Sequence, residues 1–205
     1  KAKGVIPEDQ PLSLGGAGLA PLADTHLVPF VRQADLIVLV GYDPIEMRPG
    51  WQEVWDPCET KIIDITAAPN HHYMHQANLN FIAATGAALA ALGKSVERGP
   101  GWPKPELQAL KDSLDKAFPM DEAWGPAGVI AECRAVLPAD AIASVDSGAH
   151  RILLSQMWQC SQPKTLIQSS GLCTMGCAVP LAMGAKYADP SRTVVSFSGD
   201  EGMVM

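Results

Sequence analysis

The chain has 205 residues, 47% of them hydrophobic and 18% charged, which is the profile of an ordinary soluble globular protein of one or two domains. A net charge of −7 with no basic face argues against a nucleic-acid partner. Five cysteines in a chain of this size suggest no disulfide framework and point to a reduced, cytoplasmic setting. No secretory leader is expected from the opening residues, since Lys1-Ala2-Lys3 runs into Gly and Pro rather than an apolar stretch. The uncharged run 165–185 has the length of a membrane span, but it holds Gln168, Ser169, Ser170, Thr174 and Pro180. It reads better as strand, turn and buried helix, so no membrane partner is expected. The absence of an initiator Met and the stop at Met205 suggest an internal fragment of a longer protein.

In chain order, residues 1–33 are rich in Pro and Gly and read mostly as loop, with a short helix over 24–33 capped by Asp24 or Thr25. Residues 34–41 form a continuous apolar run bounded by turn residues, which predicts a strand buried on both faces of a parallel sheet. A second strand is predicted over 61–65. The Pro- and Trp-rich loop between them sits at a strand end, where an α/β domain binds ligands. Residues 81–92 predict an Ala-rich helix able to pack closely on that sheet. The stretch 94–105 clusters Pro and Gly and is the best linker. Helices are predicted over 106–117, with Leu107, Leu110 and Leu114 at helical spacing, and over 126–136, with Ala127, Ile130, Ala131 and Val136 available for burial. Residues 141–145 predict a strand ending in Asp146-Ser147-Gly148, followed by a helix over 150–158.

The stretch 165–205 carries the chemistry. A short β-type run leads into a Ser/Gly turn and a small-residue helix. A β-branched run then ends in Ser198-Gly199-Asp200. Strand, Gly-rich turn, helix, strand, acidic turn is the arrangement with which an α/β sheet builds a ligand site at its strand ends. Backbone N–H groups at such a turn approach anionic groups closely, and an Asp at the next strand end suits a hard cation such as Mg²⁺. The residues therefore point to a diphosphate-plus-metal site. The fold class is α/β, with two open parallel-sheet (Rossmann-like, doubly wound) domains, both incomplete.

The ordered series Ser170-Gly171-Leu172-Cys173-Thr174-Met175-Gly176, then Pro180, Gly184-Ala185 and Gly199-Asp200, resembles the thiamine-diphosphate-dependent enzymes, and within them the acetolactate synthase large-subunit group. The resemblance extends over the whole chain. It implies a middle domain over 1–93, a linker and connecting helix over 94–120, and the first part of the diphosphate-binding domain over 121–205. It further implies an enzyme that decarboxylates a 2-keto acid such as pyruvate and transfers the two-carbon unit to an acceptor, using thiamine diphosphate and Mg²⁺. The family works as homodimers or homotetramers with the active site shared between subunits. A Glu of the partner's pyrimidine-binding domain activates the cofactor there, and no residue here takes that role, so the fragment alone is expected to be inactive. FAD sits on the middle domain in many members, where Tyr42 to Arg48 and Asp64 would meet it. Another thiamine diphosphate decarboxylase or acetyltransferase, and a non-catalytic nucleotide-binding α/β protein, are the competing readings.

By the same resemblance, Asp200 binds the metal, and Gly148, Gly171, Thr174 and Gly199 belong with Asp146 and His150 to the cofactor site. Met175 is the residue that props the bent cofactor for catalysis. Cys173 stands at a glycine whose carbonyl holds the pyrimidine amine, and its Cβ requires an allowed φ. Glu201, next to the metal ligand, replaces a small residue. The plainer alternatives are a solvated turn for Asp200, core filling for Met175, and a helix start capped by Asp146 or Ser147 with an exposed His150. His71, His72 and His75 have no Cys or carboxylate at ligand spacing and are expected at the surface. Cys173 and Cys177 make no zinc site without further ligands.

Overall fold

The computed structural model describes residues 2–44, 49–69, 74–97, 99–121 and 123–205. Two three-stranded parallel sheets organise the chain. The first comprises β1 (Leu36–Val40), β2 (Lys61–Thr66) and β3 (Leu79–Ile82) in that order. Helix α1 (Pro21–Val31) precedes it and α2 (Thr85–Ser95) follows. Helix α3 (Lys104–Ala117) joins the two halves. The second half runs α4 (Pro126–Val136), β4 (Ile142–Val145), α5 (Ala149–Met157), β5 (Leu166–Gln168), α6 (Ala178–Ala188), β6 (Val194–Phe197) and α7 (Asp200–Val204).

In the second sheet β4 lies between β5 and β6 and is buried along its whole length. Its alternate residues serve opposite faces. Ala143 and Val145 pack with Ile130 of α4 and Leu154 of α5, while the Ser144 hydroxyl donates to the Ala178 carbonyl of α6 at 2.7 Å. Helices therefore cover both faces, which defines a doubly wound sheet. The chain leaves β4 toward β5 on one side and returns to β6 on the other, so the carboxyl ends of these strands form a topological switch point. Trp158 closes the core, fully buried, with Phe197 edge-on at 5.5 Å and the Arg134 guanidinium 4.7 Å from its ring centroid.

The first sheet departs from expectation. Only Leu39 of β1 is buried, while Leu36, Val38 and Val40 remain 42–46% exposed. A continuous apolar run matches a strand covered on either side, and coverage is decided by what packs against it. Phe81 and Ile82, expected in a helix, end strand β3, which pairs Phe81 with Ile65. The helix starts at Thr85 and contacts β2, as expected of the Ala-rich segment, but buries none of its residues. Helix α1 starts at Pro21, so neither Asp24 nor Thr25 caps it; Pro suits the first turn because its missing N–H has no partner there. The expected linker is shortened from both ends, by Ser95 in α2 and by Lys104 in α3. Helix α4 buries Ile130 but leaves Val136 exposed.

Helix α3 behaves as its leucine spacing predicts. Leu110 packs with Ala20, Ala23 and Leu27 of the α1 region, and Leu114 covers the same cluster. The N-terminal segment ties the halves together. The Glu8 N–H donates to the Cys160 carbonyl (3.0 Å), and the Glu8 carboxylate accepts from the Cys160 N–H (2.9 Å) and pairs with Lys3 (2.8 Å). No helix among the described residues is long and apolar enough to cross a membrane.

Candidate functional site

Parallel register brings three strand ends to one row: Val145 of β4 faces Gln168 of β5 and Phe197 of β6. The turns that follow begin at Asp146, Ser169 and Ser198, and these surround the switch point. Asp146 organises them. It is 1% exposed, and its carboxylate accepts from the N–H groups of Gly176 (2.9 Å), Cys177 (3.1 Å) and Ser147 (3.2 Å) and from the Cys177 thiol (3.4 Å). Burial pushes its carboxyl pKa up, but the hydrogen bonds from Gly176, Cys177 and Ser147 outweigh this and hold it below the ordinary value. The anion also sits at the amino end of α6, where the helix dipole favours it. Gly202 of α7 lies against the same carboxylate. A Cβ there would fall 2.1 Å from Asp146 Oδ2, so only glycine fits. Asp146 thus faces the backbone of the glycine-rich turn and α7, and it does not cap α5, whose N-cap is Gly148.

The turn itself is unusual at Cys173, whose φ is +50°, in the left-handed region that costs a non-glycine residue roughly 1 kcal/mol. Two side chains hold it. The Ser147 hydroxyl donates to its carbonyl at 2.5 Å, and Arg151 Nη1 donates to its Sγ at 3.0 Å. Arg151 Nε also donates to Gln168 Oε1 at 3.0 Å, at the end of β5. Gly171 and Thr174 are exposed, the Thr174 N–H donating to Ser169 Oγ at 3.3 Å, and Met175 is half-buried at the start of the bend.

The other two turns meet at His150. Gly148 has φ +152°, and a Cβ on it would collide with the His150 ring at 2.7 Å. Gly199 also lies against the ring, its Cβ position 3.6 Å from His150 Cε1. His150 is half-buried rather than exposed. His150 Nε2 and Ser198 Oγ are buried without a hydrogen-bond partner among the described residues, and both residues line a cavity of about 350 Å³ with Trp124, Ile130 and Phe197. Asp200 and Glu201 are exposed in the first turn of α7, with Gly199 as N-cap. Among the described residues no group of three metal-ligating side chains exists, so Asp200, with Glu201 next to it in sequence, offers a hard oxygen but no preformed ligand cluster.

The first sheet carries a second polar centre. Tyr42 OH accepts from Trp51 Nε1 (2.8 Å) and meets His75 Nδ1 (2.8 Å), while His75 Nε2 meets the Gln52 carbonyl (3.0 Å). A carbonyl only accepts, so Nε2 carries the proton, Nδ1 accepts, and the tyrosine donates to it. Burial pushes the Tyr42 pKa up to about 12, the Trp51 hydrogen bond opposing and the Asp43 charge adding to the rise. His75, expected at the surface, is 6% exposed, because these partners satisfy both ring nitrogens. His71 and His72, and residues 45–48 of the loop after β1, lie outside the described residues. Asp64 is buried, its Oδ1 without a hydrogen-bond partner among the described residues. A cavity of about 400 Å³ opens at the end of β1, lined among others by Gly15, Gly16, Gly41, Tyr42, Asp43 and Arg151.

Arg151 and Gly202 carry no expectation from the sequence, and neither do the contacts that Ser147 makes with Cys173 and Gln168 with Arg151. Arg151 had a signal. A cation on the first turn of a helix opposes the dipole, so it needs a specific partner.

These strand-end turns belong to a known class. The family described as "Thiamine pyrophosphate enzyme, C-terminal TPP binding domain" matches residues 146–205, and the family's central domain matches residues 1–92. The chain belongs to the thiamine pyrophosphate enzymes. It is similar to the acetolactate synthase isozyme 1 large subunit of Escherichia coli, 30% identical over 100% of this chain and 36% of that protein. It is also similar to the acetolactate synthase of Bacillus subtilis, 28% identical over 85% of this chain and 32% of that protein. The acetolactate synthase large subunit of Parasynechococcus marenigrum is 29% identical over 99% of this chain and 33% of that protein. The chain spans about a third of the length of these relatives.

Proposed function

We infer that the chain supplies the diphosphate-binding edge of a thiamine diphosphate enzyme, and that the whole protein joins 2-keto acids as an acetolactate synthase does, from pyruvate to acetolactate. The observation that carries this reading is the convergence of three strand-end turns on one switch point, within residues that match the family's cofactor-binding domain. The donor set fits the cofactor's charged end. His150 Nε2 and Ser198 Oγ, buried without a hydrogen-bond partner among the described residues, would suit phosphate oxygens, and Asp200 would suit Mg²⁺, which would offset the diphosphate charge. Thiamine diphosphate, when bound, supplies the electron sink for loss of carbon dioxide from a 2-keto acid.

The chain's residues bind and orient. Asp200 contributes a carboxylate to the cation, and Glu201 adds negative charge beside it. Gly148 and Gly199 leave the backbone uncovered around His150. The Cys173 carbonyl, held by Ser147, would accept from the pyrimidine amine, and Met175 would give the cofactor an apolar support. Asp146 acts behind them by fixing the N–H groups of Gly176 and Cys177. Domain limits at 93 and 121, a cytoplasmic homodimer or homotetramer with shared sites, and FAD in the cavity at the end of β1 complete the reading. The glycines and Tyr42 lining that cavity suit a flat aromatic group.

Isothermal titration with thiamine diphosphate and Mg²⁺ tests it. Asp200→Ala is expected to abolish the Mg²⁺-dependent part of binding; affinity equal to that of the unaltered protein would sink the site assignment.

A further inference from the structure

We propose that Arg151 is a positioning residue for the glycine-rich turn, acting through the side chain of Cys173. The inference rests on the cofactor reading above, which makes the direction of the Cys173 carbonyl matter. A non-glycine residue at φ +50° keeps that direction only if its surroundings hold it. The carbonyl is held by Ser147 from the turn after β4. The thiol is held by Arg151 from α5. Arg151 is itself fixed: it is 5% exposed, its Nε donates to Gln168 Oε1, and its carbonyl accepts from the Ser155 hydroxyl at 2.8 Å.

The guanidinium therefore joins α5, the end of β5 and the turn. A glycine at 173 would adopt the same φ without strain and would offer no atom to hold. Cys173 and Arg151 are thus a matched pair, and the effect of Arg151 is conditional on the side chain at 173. A merely structural arginine would matter equally with either residue.

The test is a double-mutant cycle in the full chain with Arg151→Gln and Cys173→Gly, read in two ways. The first is affinity for thiamine diphosphate with Mg²⁺, followed by tryptophan fluorescence. The second is the rate of Cys173 alkylation by iodoacetamide without cofactor, followed by peptide mass spectrometry at that residue. Arg151→Gln is expected to weaken binding about tenfold with Cys173 present and less than about twofold in the Cys173→Gly background. It is also expected to speed alkylation at least about fivefold, because the thiol is released. Arg151→Lys, which supplies one donor group in place of the fork, should fall between the two. Equal losses in both backgrounds, or an unchanged alkylation rate, would overturn the proposal.

If the unaltered chain binds no thiamine diphosphate, the cofactor reading fails. Alkylation then decides the clamp alone, acceleration supporting it and an unchanged rate overturning it. Should Arg151→Gln not fold, Cys173→Ala keeps the Cβ and removes the held atom. Adding Arg151→Lys to that variant should then cost no further affinity, and an additional loss would overturn the pairing.

Discussion

The two sheets are alike in size and strand direction, yet their strand-end edges are stabilised in different ways. At the end of β1 a neutral relay runs from Trp51 through Tyr42 and His75 to Gln52, the tyrosine hydroxyl accepting from one neighbour and donating to the next. At the end of β4 a buried anion gathers backbone donors from two turns. The neutral relay fixes how rings pack. The anion fixes where backbone goes, because each N–H that points at Asp146 pins a peptide plane. The contrast recurs in two buried aspartates. Asp24 accepts one hydrogen bond, from the Gly18 N–H at 2.8 Å, and its Oδ2 has no hydrogen-bond partner among the described residues. Burial therefore raises its pKa against the opposing Gly18 bond, whereas that of Asp146 is lowered.

The largest expected effect comes from breaking the anionic hub. Asp146→Ala strips the acceptor from the Gly176 and Cys177 N–H groups and should cost roughly 3 kcal/mol, or about 6–12 °C in Tm for a chain of this size. Calorimetry checks this, and a loss below about 1 kcal/mol would remove Asp146 as organiser. His75→Phe breaks the neutral relay at both ring nitrogens and should cost about 1–3 kcal/mol, leaving the cofactor-turn bonds intact. Urea unfolding together with Cys173 alkylation separates the two edges.

Asp24→Asn should have the opposite sign. Its amide oxygen still accepts from Gly18, and no charge is buried, so neutral-pH stability should rise by about 0.5–1 kcal/mol. The pH profiles sharpen this contrast. The raised pKa of Asp24 means its contribution is fully present below the unfolded pKa, about 3.9, and is lost as pH rises through the folded value. The lowered pKa of Asp146 means its contribution is present above the unfolded pKa and is lost as pH falls through the folded value. Tm measured across the acid range in the two variants should therefore flatten opposite slopes. The smallest effect is expected on the open face of the first sheet, where Val38→Thr should change stability by less than about 0.5 kcal/mol in a urea titration.

Much of this was legible in the sequence. The apolar runs of β2 and β4 and the leucine spacing of α3 reported their elements, because burial pattern follows local periodicity. Phe81 misled, since an aromatic residue beside an Ala-rich helix fits the end of a strand equally well, and only pairing with β2 decides. The turn glycines and Asp200 were visible because their residue types are chemically narrow. Arg151, Ser147 and Gln168 were not, because their roles depend on partners 17–26 residues away.

The sequence by itself determined the α/β class, the order of strands and turns in the second half, and where glycines and carboxylates fall along the chain. Spacing and side-chain chemistry are properties of the chain alone. The tertiary structure decided that Asp146 turns inward to the backbone, that His75 is buried, that β1 stays open on one side, and that Cys173 is held by Arg151. Each of those depends on which distant groups arrive within hydrogen-bond reach, and that is set by packing and strand register rather than by local sequence.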